Sequence, residues 1–472
     1  MQISIINKSK IISDFRIDAE LYQPVYLKIE KKLFNKQYTF LGNEVNKFKK
    51  GIFDINASCY CEEGVPFVRI SNLKDMVINT SDIVHIPEKE NLQNLDTFLE
   101  YEDIILSKTA CPAASLVNIK NCNTCQDTIA IKLKHNASIN SRFLVTFLNC
   151  YYGFLQMQRW FTGNVQMHLN LTDSRNIIIP VFSVEFQELI ANKFIYSEQQ
   201  TNQSNQIYSK AEQLLLDELG LVDWKPKHKL SFTKNYSDTG QSGRIDAEYF
   251  QPKYEQIINA VKKYKGGWDI LGNAVKIKDK NFNPEEKKEY KYIELSNIGT
   301  NGRIDGCTVE LGRNLPSRAR RKVNTDDIVV SSIEGSLGSI AIVSKEYEDA
   351  LCSTGFYVIN SEKMNSESLF CYLKSCAGQM QLKKGCNGTI LTAINKDEFQ
   401  RIVIPKIDGK IQTQIQEKVQ QSFEARRKSK ELLEIAKKGV EMAIEKDEKM
   451  AMKWISEKVG MCEKWIATLR SQ

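Results

Sequence analysis

No run in this chain of 472 residues approaches the roughly 18 apolar residues that a membrane-crossing helix needs. The opening stretch MQISIINKSKIISDF also lacks the apolar core and small-residue cleavage site of a secretory signal. A cytoplasmic chain with no membrane partner is the expectation. The 12 cysteines are scattered rather than spaced as a framework, which argues against a disulfide scaffold and for reduced, mostly buried thiols. There is no nucleotide loop of the form G-x-x-x-x-G-K-(S/T), no NPPY or DPPY adenine-methyltransferase signature, and no glycine-rich cofactor loop after a strand. No catalytic residue, metal or cofactor is therefore assigned to this chain.

What is present is an ordinary globular composition, 42% hydrophobic and 26% charged, over a length that suffices for roughly two to four domains. The net charge of +7 is modest, and it serves an acidic partner only if concentrated on one face.

The chain repeats itself. RIDAE at Arg16 to Glu20 returns at Arg244 to Glu248, followed by LYQPVY and YFQPKY. Pro24 and Pro252 suit the first turn of a short amphipathic helix ending near Leu33 or Val261. LGN at Leu41 to Asn43 matches Leu271 to Asn273, with KFKKG after one and KIKDK after the other. FVRISNL matches YIELSNI, and EDIILSK matches DDIVVSS, short runs with β-branched residues that read as strands. Thr146 to Pro180 and Cys371 to Pro405 align without a gap, Gly163 on Gly388 and IIIP on IVIP. One domain design is used twice. Arg16 is expected to pair with Asp18 or Glu20, and Arg244 with Asp246 or Glu248, a structural role.

Each copy ends in a long helix. Ser183 and Asp408 suit a helix start, and no proline follows either for about 35 residues. Ile411, Ile415, Val419, Leu432, Leu433, Ala436, Val440 and Ala443 make one apolar stripe; Phe186, Leu189, Ile190, Phe194, Ile207, Ala211, Leu214 and Leu215 make the other, with the polar EQQTNQSNQ between. At about 1.5 Å per residue such helices are roughly 50 Å long, too long to bury within one copy. They are expected to pack on each other, antiparallel or parallel, as a coiled-coil spacer.

These paired phrases, the DI(I/V)(L/V)S strand, the G…IIIP and G…IVIP closings and the two long helices resemble the specificity subunit of a type I restriction-modification system. The resemblance implies an α+β chain with two tandem α/β target recognition domains, each followed by a long helix, and the helices packed as an antiparallel coiled coil with pseudo-two-fold symmetry. The implied organisation is recognition domain one at 1–182, a spacer helix at 183–222, a linker at 223–243, recognition domain two at 244–407, a second spacer helix at 408–448 and a helical tail at 449–472. Each domain is then expected to read one half of a bipartite site on double-stranded DNA. The helices act as a ruler and dock adenine methyltransferase subunits, with motor-nuclease subunits completing the complex. S-adenosylmethionine, ATP and Mg are expected on those partners. The alternatives are a two-module protein-binding scaffold and the recognition subunit of a methylation-only defence system.

Read from the residues, the clearest candidate DNA patch is LGRNLPSRARRK, with Arg313, Arg318, Arg320, Arg321 and Lys322 and no acidic residue. Phosphates favour such a cluster through counterion release, and arginine also takes guanine in the major groove. The alternative reading of the same residues is a solvated charge run. The first copy's equivalent, IPEKENLQNLDTF, has no cluster, so the two copies are expected to read DNA by different contacts. Lys47, Lys49 and Lys50, with their counterparts Lys276, Lys278 and Lys280, are further candidates. So are Asn164, Gln166 and His168 in TGNVQMH and Asn387 in GCNGTIL, where simple turn chemistry is the bland reading. EDIILSK faintly resembles a metal-dependent nuclease strand, with Glu102 or Asp103 on Mg²⁺ and Lys108 at the phosphate, but DDIVVSS has no lysine. Cys59, Cys61, Cys122 and Cys125 have no counterpart set in the second copy, which favours ordinary thiols over zinc.

Overall fold

The computed structural model describes residues 5–6, 19–163, 167–299, 302–388 and 392–469, with residues 241 and 459–469 described in backbone only. Among the described residues no helix is long and apolar enough to cross a membrane. The chain divides into two compact units, residues 1–200 with 427–472 and residues 201–426.

The first unit begins with the helix Pro24–Phe34, where proline at the start costs no hydrogen bond and Tyr26, Ile29 and Leu33 form the buried face. The strand Tyr38–Phe40 pairs antiparallel with Ile178–Pro180. Two sheets follow. One has six strands in the order Val45–Lys50, Thr128–Leu133, Ile104–Ser107, Ala114–Leu116, Val77–Ile78 and Leu73–Lys74. The other has four, ordered Val84–Ile86, Val65–Val68, Asn121–Thr124 and Leu99–Glu100. Ile104, Ile105, Leu106 and Ser107 are all buried, so this strand reads as a continuous apolar run because it is covered on both faces. The helices Ser141–Asn149 and Tyr151–Trp160 close one side, the first capped by Asn140, whose side chain accepts from the Phe143 N–H at 2.7 Å.

The second unit writes the same order again. The helix Pro252–Lys262 buries Tyr254, Ile257 and Val261, and Trp268–Ile270 pairs with Val403–Pro405. Its sheets have four strands each: Val275–Ile277, Phe356–Ser361, Ile328–Ser331, Ile340–Ile342, and Thr308–Leu311, Glu289–Ile293, Leu351–Ser353, Ala319–Lys322. Helices Ser366–Lys374 and Cys376–Gly385 repeat the helical pair, and Asn365 caps the first by accepting from the Ser368 N–H at 2.8 Å.

The repetition extends to single contacts. A Cβ on Gly153 would meet the Phe147 carbonyl oxygen at 2.1 Å, and one on Gly378 would meet that of Tyr372 at 2.3 Å, so each helical pair needs glycine at its tightest approach. Gln187 accepts from the Asn140 N–H at 3.0 Å and donates to the Phe182 carbonyl at 3.0 Å. Gln412 does the same with the Asn365 N–H at 2.9 Å and the Ile407 carbonyl at 2.8 Å. Arg244 forks onto Asp246, Nε to Oδ2 at 2.7 Å and Nη2 to Oδ1 at 2.9 Å, while the corresponding Arg16 and Asp18 lie outside the described residues.

Two long helices, Val184–Leu219 and Gly409–Glu445, each contribute to both units. In the first unit Phe186, Ile190 and Phe194 share a core with Leu433, Ala436, Val440 and Ala443, and with Ala451 and Ile455 of a further helix, Glu448–Leu469. In the second unit Ala211, Leu215 and Leu219 share a core with Ile415 and Val419. The polar stretch EQQTNQSNQ does not interrupt the helix. In the first unit the Ser197 and Ser429 hydroxyls meet at 2.8 Å, and in the second those of Ser204 and Ser422 meet at 3.0 Å, all four side chains buried. A hydroxyl both donates and accepts, so one serine of each pair can donate to the other, and Ser422 also reaches the Ser204 carbonyl at 2.9 Å.

Candidate nucleic-acid interface

Of the arginine cluster of the second unit, Arg320, Arg321 and Lys322 lie on the edge strand Ala319–Lys322, whose inner neighbour is Leu351–Ser353, while Arg313 sits in the short helix Gly312–Asn314 and Arg318 just before the strand. Charged side chains on such an edge discourage pairing with another chain. Three of the five basic residues are tied down. Arg320 donates to Asn283 Oδ1 at 3.0 Å and to the Ser317 carbonyl at 3.1 Å. Arg321 donates to Asn281 Oδ1 at 2.8 Å and to the Asp279 carbonyl. Lys322 pairs with Asp349 at 2.8 Å and lies over the Phe282 ring. Together they pin the loop at 279–283 against the sheet edge. Arg313 and Arg318 are exposed, with no side-chain hydrogen bond or ion pair among the described residues, and are therefore free to meet phosphate or base.

The lysine sets differ in the same way. Lys278 is an internal cation: its ammonium reaches Asp327 Oδ2 at 2.7 Å and Asn324 Oδ1 at 3.0 Å, and Asp327 is fully buried. Lys276 and Lys280 are exposed. In the first unit Lys47 donates to the carbonyls of Phe98 at 2.9 Å and Leu95 at 3.1 Å, and burial, followed by the charge of Lys132, pushes its pKa down. Lys49 pairs with Asp96 at 3.3 Å, and the Lys50 ammonium stands 4.9 Å over the exposed Phe53 ring. A bulge between Lys132 and Leu133 absorbs one residue of Val45–Lys50, so that Lys47 stands across from Lys132 where Lys276 stands across from Asn360, Lys49 takes the place of Lys278, and Lys50 falls at Asp279. The second unit has no such shift where Val275–Ile277 pairs with Phe356–Ser361.

The two glycine-centred loops are hairpins, Phe161–Thr162 with His168–Leu169 and Cys386–Asn387 with Ala393–Ile394. Gly163 and Gly388 have φ of 132° and 134°, a conformation that excludes a Cβ in both copies. Asn164 and Gln166 lie outside the described residues. His168 forms a backbone bridge with Thr109, and its Nδ1 is buried with no hydrogen-bond partner among the described residues. Asn387 is exposed and accepts from the Gly388 N–H at 2.9 Å, which is turn chemistry.

The carboxylates of EDIILSK are engaged elsewhere. Glu102 pairs with Arg142, while Asp103 is buried, has a raised pKa because of that burial, and meets Lys132 at 3.3 Å. Cys122 is buried, which pushes its thiol up to about 12. Among the described residues no group of three or more His, Cys, Asp or Glu is placed to hold a metal ion. Two partnerships were not legible in the sequence: Asn281 and Asn283 as anchors for arginines, and Asp327 as the partner of Lys278. The one sequence signal was that the loop DKNFN precedes the cluster by a strand pair.

Residues 268–437 match the family model for the type I restriction modification DNA specificity domain. The chain resembles type I specificity subunits. The matched span runs from the strand Trp268–Ile270 into the second long helix, and so includes every candidate DNA residue of the second unit. Among solved structures, the specificity subunit from M. genitalium is 13% identical over 91% of this chain and 95% of its own, with a TM-score of 0.35. The HsdS subunit from Thermoanaerobacter tengcongensis is 14% identical over 87% and 97%, with a TM-score of 0.27. A third, from work on complex assembly and conformational transition of the type I R-M system, is 13% identical over 85% and 97%, with a TM-score of 0.27. No curated protein sequence matches.

Proposed function

We propose that this chain is the DNA-recognition subunit of a type I restriction-modification complex, each unit reading one half of a bipartite target. The family match over 268–437 carries the reading. The same elements, caps and glutamine contacts in the other unit support extending it to the first half-site. The chain is a non-catalytic member of the complex. Adenine methylation and restriction belong to methyltransferase and motor-nuclease partners that carry S-adenosylmethionine, ATP and Mg.

The two long helices form an antiparallel coiled-coil strut to which the methyltransferase subunits dock. In the first unit Ser183 meets Glu448 and Ser197 meets Ser429, pairings that run in opposite directions along the chain and support the antiparallel sense. Within the DNA-facing set, Arg313, Arg318, Lys276, Lys280 and Asn387 contact DNA from the second unit, and Lys49, Lys50, Asn164, Gln166 and His168 from the first. Lys47, Lys278, Arg320, Arg321 and Lys322 shape the loops that carry them. Mapping methylated adenines in a host carrying the system tests this: a split motif with two specific halves is expected, and a continuous motif or none overturns it. Co-purification with a large adenine methyltransferase separates the reading from that of a protein-binding scaffold.

A further inference from the structure

Three adjacent antiparallel strands of the first unit place Ile129 opposite Lys50 on one side and opposite Leu106 on the other. Residues opposite one another in such a sheet point to the same face, and so does the residue two further along a strand. Lys50, Ile129 and Leu106 therefore share a face, and Lys108, one residue beyond the strand Ile104–Ser107, is near enough for the Lys50 charge to act on it. Ile129 and Leu106 are fully buried, and the two half-buried lysines stand at the end of that apolar row. The backbone of Lys108 is fixed on both sides, its N–H donating to the Asp127 carbonyl at 2.7 Å and its carbonyl accepting from the Leu169 N–H at 2.7 Å.

Elsewhere in the same sheet, two lysines on the opposite face are neutralised: Lys132, across from Lys47, binds Glu100 at 2.6 Å and Asp103 at 3.3 Å, and Lys49 pairs with Asp96 at 3.3 Å. Neither Lys50 nor Lys108 has an ion-pair partner among the described residues. Burial, and after it the charge of Lys50, push Lys108 down, with Asp127 offsetting part of the effect. The neighbouring His168 leaves a buried ring nitrogen unsatisfied. Asp127 acts on Lys108 without an ion pair to it among the described residues, so the two cations leave room for an anion from outside.

We propose that Lys50 and Lys108 together form a phosphodiester-binding site of the first unit that the second unit lacks. In the second unit Ser332 follows the strand Ile328–Ser331 where Lys108 follows Ile104–Ser107, and the residue after Lys278 is Asp279, whose carboxylate is bound by Lys396. The second unit grips the backbone through Arg313 and Arg318 instead. The proposal rests on the DNA-recognition reading and adds to it the residues that anchor one half-site.

The test uses the full chain carrying Lys50→Gln, Lys108→Gln or both, and a fluorescent duplex of random sequence titrated across a salt series. Each substitution should make the plot of log affinity against log salt shallower by about one, and the pair by about two. Lys265→Gln, which removes a pairing with Glu218 in the second unit, should leave the slope unchanged. The double variant should melt no lower than the parent, because two mutually repelling charges are gone. A folded double variant with the parental slope, or one that melts clearly lower, overturns the proposal. A parent chain with no salt-dependent DNA binding overturns the underlying reading instead. Inorganic phosphate at matched ionic strength is the second arm: stabilisation of the parent but not the double variant, with equal DNA slopes, would assign the pair to free phosphate and also overturn the proposal.

Discussion

Gln156 holds Ile178 by both ends of its side-chain amide, donating to the Ile178 carbonyl at 2.8 Å and accepting from the Ile178 N–H at 2.8 Å. Gln381 clamps Val403 in the same way, at 2.9 and 2.8 Å. In each unit a helix is thereby stitched to the strand that leads into a long helix. The difference is a third partner, the Tyr372 hydroxyl, which donates to the Val403 carbonyl at 2.6 Å in the second unit only; Phe147 stands at its place in the first.

Gln156→Leu leaves both backbone groups of Ile178 buried without a partner. At about 1–3 kcal/mol for each unsatisfied group, a loss of about 2–6 kcal/mol is expected. Gln381→Leu should cost less, because Tyr372 still satisfies the carbonyl. Chemical denaturation of the two variants ranks them, and equal losses would show that the clamp is not what the strand depends on.

Lys278→Met should destabilise the second unit by about 3–5 kcal/mol, because the buried Asp327 carboxylate loses its cation. Its effect on the salt dependence of DNA binding should be nil. A variant of native stability with a shallower salt slope would reverse the assignment of Lys278 from internal ion pair to phosphate contact.

The arginines should separate into two classes. Arg313→Ala and Arg318→Ala each weaken binding to a duplex of any sequence and remove about one unit of salt slope, with melting unchanged. Arg320→Ala and Arg321→Ala release the loop at 279–283, so lowered thermal stability and altered base preference are expected ahead of any loss of slope. Methylation mapping beside calorimetry distinguishes the classes; uniform behaviour of all four would dissolve them.

Burial pushes Lys374 down to about 8 from 10.5, with Glu212 and then Cys371 acting in the opposite sense. The unfolded chain thus holds the extra proton between those two values, and this residue makes stability rise with pH across the window. Lys374→Met should abolish that contribution. Subtracting the melting curve of the variant from the parent, pH by pH, isolates it from the opposing thiol of Cys371, which burial pushes up to about 12. A flat difference from pH 8 to 10 would refute the expectation.

Replacing residues 40–180 with the equivalent segment of a relative should change one half of the methylation motif and leave the other. Sequencing of methylated adenines reads the result directly, and simultaneous change of both halves would end the one-unit-per-half-site reading.

The features legible from sequence were those set by local chemistry. Pro24 and Pro252 opened helices where the first turn has no need of a donor, and Ser183 and Asp408 accept from the Phe186 and Lys410 N–H groups at 3.3 and 2.9 Å at the starts of the two long helices. The gapless match from Thr146 to Pro180 includes the tight packing at Gly153, where a Cβ would stand 2.1 Å from the Phe147 carbonyl oxygen. What escaped was decided at long range. The bulge beside Lys132 puts Lys49 at the place of Lys278 but Lys50 at that of Asp279, and Arg320 and Arg321 find partners about 40 positions away. Basic residues announce a charge; which of them are already satisfied depends on the fold.

The first unit is not contiguous in the chain, since Phe186, Ile190 and Phe194 share their core with Leu433, Val440 and Ile455. On the ribosome, the whole of residues 201–426 emerges between the two halves of that core. At roughly 5–20 residues per second, the apolar face of the first long helix waits on the order of ten to forty-five seconds for its cover. The second unit, continuous in sequence, has time to close within that interval. Synthesis order therefore runs against chain order: the half made second is the half finished first, and the one made first remains open to chaperones or to a partner subunit until the last turns of the second long helix arrive.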